Sequence, residues 1–240
     1  MSDAELNAGF YYQKKLAPKA IFGISAGVWD VQLFSDQVLS YGADGYRLDS
    51  GTQTISTAMG PMTVQAASKD DSTIFYSATA GAMYVNSDAH LTLYGEYYFN
   101  GQGSRDPDYT KKLGERYLAE SMSGGSVPSV IAQSDLFAYN GMHNTGFSAS
   151  LSELFGTDKL SCSVFWQANW VDVSGMVVPT LSFAPWKRFS LTLGSRFVYG
   201  PADSEFILKN SDMSAVSTGG APKTVRFAPY LKVYFGAGKF

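Results

Sequence analysis

The sequence predicts an all-β protein: an antiparallel up-and-down transmembrane β-barrel of about 10–12 strands, forming one domain over residues 1–240, or else the C-terminal portion of a larger barrel. Three observations predict it. Charged residues are only 16% while aromatics reach 15%, led by 16 Phe and 15 Tyr, with 24 Gly, a strand-and-turn composition. Apolar alternation of period two recurs along the chain, and no helical spacing persists beyond about three turns. Connections alternate between tight turns and long polar loops, as in a meander.

In chain order, residues 8–16, 37–48 and 52–66 are the weakest strand candidates, and 20–33, 72–85, 144–155 and 175–184 are softer repeats of the pattern. The clearest strands are 89–100, 159–170, 187–199 and 225–235. In residues 159–170, "KLSCSVFWQANW", one face is Leu160, Cys162, Val164, Trp166, Ala168 and Trp170, and the other is Ser161, Ser163, Phe165, Gln167 and Asn169. The tight links "LAPKA" (16–20), "VNSDA" (85–89), "FGTDK" (155–159) and "APWKR" (184–188) carry Pro, Gly, Asn or Asp. The long links are 101–143 and 200–223, with "DVSG" (172–175) a short exception between them. Within the first long link, 106–122 predicts a short helix capped by Asp106 or Asp108.

An apolar strand face needs either a protein core or lipid. In a soluble sandwich the second face meets water and carries Lys, Glu, Asp and Arg. Here it carries mainly Ser, Thr, Gly, Asn, Gln and Tyr, which suits an enclosed polar lumen, while the apolar face suits lipid. Trp166, Trp170, Tyr97, Phe99, Phe197 and Tyr199 fall towards strand ends, where aromatic girdles belong.

The stretch "LTLYGEYYFNGQG", followed by "FSASLSELFGTDKLSCSVFWQANWVDVSGMVVPTLSFAPWKRFSLTLGSRFVYG" and "SEF", resembles the C-terminal half of many bacterial outer-membrane β-barrel proteins, porin-like and transport barrels among them. The resemblance covers roughly residues 89–206 and implies architecture rather than substrate. It implies a bacterial outer-membrane location, with a signal peptide removed or lying upstream, and two partners, the lipid bilayer and the barrel-assembly machinery. That machinery reads a C-terminal aromatic strand. The chain ends in Phe240, although the apolar alternation stops at Phe235. With short turns inside and long loops outside, counting back makes residues 8–16 a strand that runs inward. That direction predicts a missing upstream strand, or a segment 8–16 that does not span.

Functional candidates are few. The lumen charges are Arg188, Arg196, Arg226, Lys232, Glu96 and Glu153. Arg196 and Arg226 are expected side by side near the outer mouth, Arg188 and Lys232 together near the inner mouth, and Glu96 and Glu153 on the same interior. They would either fill and brace the lumen or form a constriction that favours anions. His143, Ser148 and Glu153 can be drawn as a hydrolytic set, but their spacing matches no catalytic pattern, so no catalytic residue is assigned. The acidic clusters at 106–108, 69–72 and 49–54 are weighed as calcium sites and as solvated loop tips, and no metal or cofactor is assigned. A net charge of −3 gives no nucleic-acid footprint, and the single cysteine, Cys162, excludes an internal disulfide.

The expected function is a passive pore or transport-associated barrel with a polar, partly basic lumen, passing small solutes or ions. The alternatives are a structural or surface-recognition barrel with closed lumen and partner-binding loops, a soluble β-rich binding domain, and a lipid-modifying enzyme.

Overall fold

A computed structural model describes residues 3–14, 16–136, 138–209, 211–212, 223–224 and 226–236. Phe240 and residues 210 and 213–222 of the 200–223 loop lie outside these. The chain is all-β. Fourteen strands run β1 (Ala4–Tyr11), β2 (Lys19–Val28), β3 (Val31–Tyr41), β4 (Arg47–Thr57), β5 (Gly60–Ser68), β6 (Ile74–Asn86), β7 (Leu91–Phe99), β8 (His143–Leu151), β9 (Leu160–Asn169), β10 (Ser174–Trp186), β11 (Phe189–Tyr199), β12 (Ser211–Asp212), β13 (Lys223–Thr224) and β14 (Phe227–Phe235). Three helices, α1 (Tyr109–Ser121), α2 (Gln133–Leu136) and α3 (Glu205–Lys209), lie in the long loops.

Ten strands form one antiparallel sheet in the order β1-β2-β3-β6-β7-β8-β9-β10-β11-β14. Hairpins β4–β5 and β12–β13 are separate two-stranded pieces. β1 and β14 are the two margins of the sheet, and no pairing joins them among the described residues. The connections at 29–30, 87–90, 152–159 and 187–188 lie at one end. Those at 12–18, 42–73, 100–142, 170–173 and 200–226 lie at the other, so the long links share one end, while the tight link at 16–20, expected with the short turns, lies at the long-loop end instead.

Two expectations about strands are corrected. Residues 20–33 are not one strand: the chain reverses at Trp29 and Asp30 between β2 and β3. Residues 37–48 and 52–66 likewise divide into the end of β3 and the β4–β5 hairpin. The wall therefore has three strands upstream of β6 where the sequence counts four, which inverts the directions expected of β1 and β2 and leaves those from β6 onward unchanged. β1 therefore starts at the short-turn end, and the direction-based case for an upstream strand lapses.

Which face is covered follows from register. Ser163 faces Thr180 across the β9–β10 ladder, Ser182 faces Thr192 across β10–β11, and both pairs share hydroxyl hydrogen bonds. Thr192, Ser190 and Gln167 on this polar face are half-buried. On the opposite face Leu193 is 55% and Leu231 63% exposed, and Phe22, Ile24, Leu33, Leu181 and Val233 are exposed as well. A soluble sandwich would show the reverse.

The buried apolar clusters of the described residues lie at the long-loop end. Ile55, Val64 and Ala119 form one between the β4–β5 hairpin and α1. Leu113, Ile131 and Leu136 form a second, joined by Leu48 and Ala67. Val198, Phe206 and Ile207 form a third, where α3 packs on β10 and β11 beside Met176. Helix α1 starts just after Asp108, as predicted. The Asp108 side chain makes no capping bond; Asp106 accepts the Asp108 amide at 3.0 Å and the Lys112 ammonium at 2.5 Å.

Candidate functional site

The polar face, together with the roof that the long loops build over its long-loop end, is the candidate site. The roof is held by two buried carboxylates. Glu120 receives the Arg116 guanidinium at 2.6 Å and the amides of Val130 and Ile131 at 3.0 Å, and Arg116 also reaches Gln53 and the Gln65 carbonyl on the hairpin. Both side chains are almost wholly removed from solvent. Removing one member of such a pair leaves the other charge uncompensated, which costs about 3–5 kcal/mol.

The second carboxylate is Glu205, which is fully buried. Its Oε2 accepts the amides of Asn140 and Gly141 at 2.9 and 3.1 Å and the Asn169 side-chain amide at 2.9 Å. Its Oε1 pairs with Lys209 at 2.7 Å. The Glu205 backbone amide donates to Asp172 at 2.6 Å, and Asp172 also accepts the Ser174 amide and hydroxyl. Thus "DVSG" and "SEF", two parts of the quoted resemblance, meet in space. One residue, through its side chain and its backbone amide, ties the 100–142 loop, the end of β9, the 170–173 turn and α3 into a single cover.

Beneath the cover lies a cavity of about 480 Å³ between the long-loop ends of β2, β3, β6 and β7 and the roof. Lys19 and Asp44 pair at its rim at 2.6 Å. Asp44 is fixed further by Gln102, whose side-chain oxygen accepts the Asp44 amide at 3.2 Å and whose amide donates to the Ser40 hydroxyl at 3.1 Å. Arg47 lies with its guanidinium 5.2 Å from the centre of the Phe75 ring. Its Nη2 makes one long bond, 3.4 Å, to the Gly103 carbonyl, and its buried Nε has no partner.

The charges expected in the lumen separate into distinct places. Glu96 does lie mid-way along the polar face, between Gly81 and Gly146, and accepts the Tyr94 hydroxyl, while Tyr94 stacks on Phe34 at 5.6 Å. The two glycines leave room for these side chains, so the middle of the face is filled. Arg196 lies on the polar face of β11 opposite Ala228, with a buried Nε that has no partner. Arg226 sits just outside β14, exposed, its carbonyl accepting the Val198 amide at 2.8 Å.

Three placements are corrected. Glu153 is not on a strand: it lies in the 152–159 turn and pairs with His90 at 3.1 Å, half-exposed, at the short-turn end. Arg188 is an exposed turn residue whose carbonyl accepts the Gly236 amide. Lys232 stands opposite Thr192, four residues along β14 from Gly236, so it is not beside Arg188. His143 and Ser148, an odd number of residues apart on β8, point to opposite faces; His143 contacts the Tyr97 hydroxyl. That geometry removes the hydrolytic set.

The aromatic residues gather at the two ends of the apolar face. Trp166 donates to the Tyr199 hydroxyl at 2.9 Å and Trp170 to Thr145 at 2.6 Å, while Phe197 packs on Phe227 at the loop end. Trp186, Phe189 and Phe235 cluster at the turn end. Among the acidic loop clusters, Asp70 accepts the amides of Ser72 and Thr73, Asp49 accepts the Gly51 amide, and Asp106 is taken by Lys112. No group of three or more side chains suited to a metal ion occurs among the described residues.

No family model, curated protein or solved structure matches the chain.

Proposed function

We propose that the chain is an outer-membrane β-barrel that admits small polar solutes or ions along its polar face, with a roofed outer mouth. The observation that carries this reading is the inversion of faces, in which exposed Leu, Ile, Phe and Val cover one side of a ten-stranded meander while the hydroxyl and amide side is largely half-buried. Water does not tolerate so large an apolar surface, but hydrocarbon does. Wall strands of 8–13 residues suit tilted crossing of a bilayer, and the aromatic clusters at both ends suit the two interfaces.

In lipid the sheet would close by pairing β1 with β14, since an unpaired margin has no water to satisfy its amides and carbonyls. Their directions permit it: β1 runs away from the short-turn end and β14 runs towards it. Glu5 on the polar face of β1 and Lys232 on that of β14 give the seam opposite charges.

The test is electrophoretic mobility in SDS before and after boiling, followed by conductance in a planar bilayer. Faster migration of the unheated, vesicle-inserted protein together with ion current is the expected result. Protein that stays monomeric without detergent and shows no heat shift overturns the membrane reading. The tight bonding of the roof through Glu205 and Glu120 favours a second reading, a surface barrel with a closed lumen, and properly inserted protein with no current would select it.

A further inference from the structure

We infer that the cavity beneath the roof binds a small monocarboxylate rich in hydroxyl or amino groups, with Arg47 as its anchor. The inference names a solute class for the lumen proposed above and relies on that reading for the solute's route, although binding itself does not require a membrane. At about 480 Å³ the cavity falls within the range for small-molecule sites. Arg47 is its distinctive group. A guanidinium offers donors in a fixed fork that matches the two oxygens of a carboxylate. Here the Nε donor is buried and orphaned, Nη2 has only a long contact, and no carboxylate pairs with Arg47 among the described residues. A buried donor without a partner is costly, and a bound oxyanion is the partner that removes that cost.

The rest of the lining sets the remainder of the ligand. Asp36, also without an ion pair among the described residues, and Asp135 present carboxylate oxygens, and Tyr98, Thr79 and Asn140 add further hydrogen-bonding groups. The two acids repel a second negative charge and welcome hydroxyl or ammonium donors. Lys19 is already neutralised by Asp44 and adds little to anion attraction. One negative charge with several donors fits this lining; a bare anion or a neutral polyol meets only part of it.

The test is calorimetric titration of the full chain, folded in detergent, with D-gluconate, D-glucitol and acetate. Glucitol keeps the hydroxyl groups without the charge, and acetate keeps the charge without the hydroxyl groups. Gluconate should bind at least about tenfold more tightly than either, and Arg47→Gln should weaken it by about tenfold or more while Arg47→Lys recovers part, as loss of a charge-assisted pair predicts. Equal binding of glucitol or acetate, an unchanged Arg47→Gln variant, or no gluconate binding overturns the inference. If Arg47→Gln fails to fold, the wild-type comparison still decides, together with Asp36→Asn, which should narrow the preference for gluconate over the dicarboxylate glucarate. The heat shift measured on the same sample reports separately on the membrane reading, so either can fail alone.

Discussion

Replacing Glu205 with Ala should release the roof while leaving the wall intact. The side chain is fully buried and accepts four hydrogen bonds, three on Oε2 and one from Lys209, whose own side chain is 14% exposed. Hydrogen bonds to a charged group contribute about 1.5–3 kcal/mol each, but they share one desolvated carboxylate and are not additive. The loss expected is that of breaking a buried ion pair, about 3–5 kcal/mol, because the Asn140 and Gly141 amides and the Lys209 ammonium lose their acceptor together. At 1.4 kcal/mol per tenfold, local opening should become more frequent by about two to three orders of magnitude. Hydrogen exchange read by mass spectrometry on peptides covering 138–142 and 170–175 measures this, with 160–168 on β9 as the internal reference. Glu205→Gln combined with Lys209→Met should recover more than half of the loss, since an amide oxygen can still accept from Asn140, Gly141 and Asn169. Exchange in 138–142 that changes less than about threefold in Glu205→Ala would refute the assignment of this carboxylate as the tie, given the two to three orders of magnitude expected.

Four further outcomes are expected. Leu193→Arg should reduce folding into vesicles by about 2–4 kcal/mol if its face meets the bilayer midplane, whereas Thr192→Arg on the other face should be nearly neutral; equal effects in denaturant titrations would argue against the face assignment. Gly101→Ala should destabilise the start of the 100–142 loop by about 1–3 kcal/mol or more, because the new methyl carbon would stand 1.9 Å from the Tyr76 carbonyl oxygen, a backbone atom that cannot swing aside. Asp70 is held at a pKa of about 2 by the Thr73 hydroxyl and the Ser72 and Thr73 amides. A depressed carboxyl stabilises fully above its unfolded value near 3.8 and ceases to as pH falls through about 2, so Ser72 and Thr73 amide protection should persist at pH 3 and vanish near pH 2. In a Cys162→Ser background, Ala8→Cys combined in turn with Phe227→Cys, Leu231→Cys or Phe235→Cys should give at least one disulfide across the seam in vesicles; absence of all three on non-reducing gels would count against closure.

The wall was legible because its signal is local. Alternation in 89–100, 159–170, 187–199 and 225–235 places β7, β9, β11 and β14 and separates an apolar from a polar face on each. The β2–β3 reversal was not legible: its turn, "VWDV", has no Gly, Pro or Asn, and Trp29 itself takes the left-handed φ of 55° and stands 98% exposed. With the β4–β5 hairpin also reading as wall, a count from the sequence inverts the directions upstream of β6. The roof and its cavity were illegible for a different reason. Glu205, Asp172 and Asn140 come from three loops, and Lys19, Asp44 and Arg47 border a space completed by residues 98–140, so no spacing along the chain announces either group. Glu153 misled because it follows β8 closely; the left-handed backbone at Glu153 and Phe155 turns it out of the ladder.

Because each strand of the large sheet bonds to the one before it in sequence, apart from the excursions through β4–β5 and β12–β13, the width of the sheet is a matter of how many hairpins are strung together. A hairpin such as β2–β3 could be duplicated or excised without rethreading the remainder. The lid over the mouth has no such freedom. Glu205 bridges partners 36 to 65 residues away along the chain, so any change in the number of strands has to spare the block from β7 to α3. Diversification of such a scaffold should thus begin at its N-terminal side.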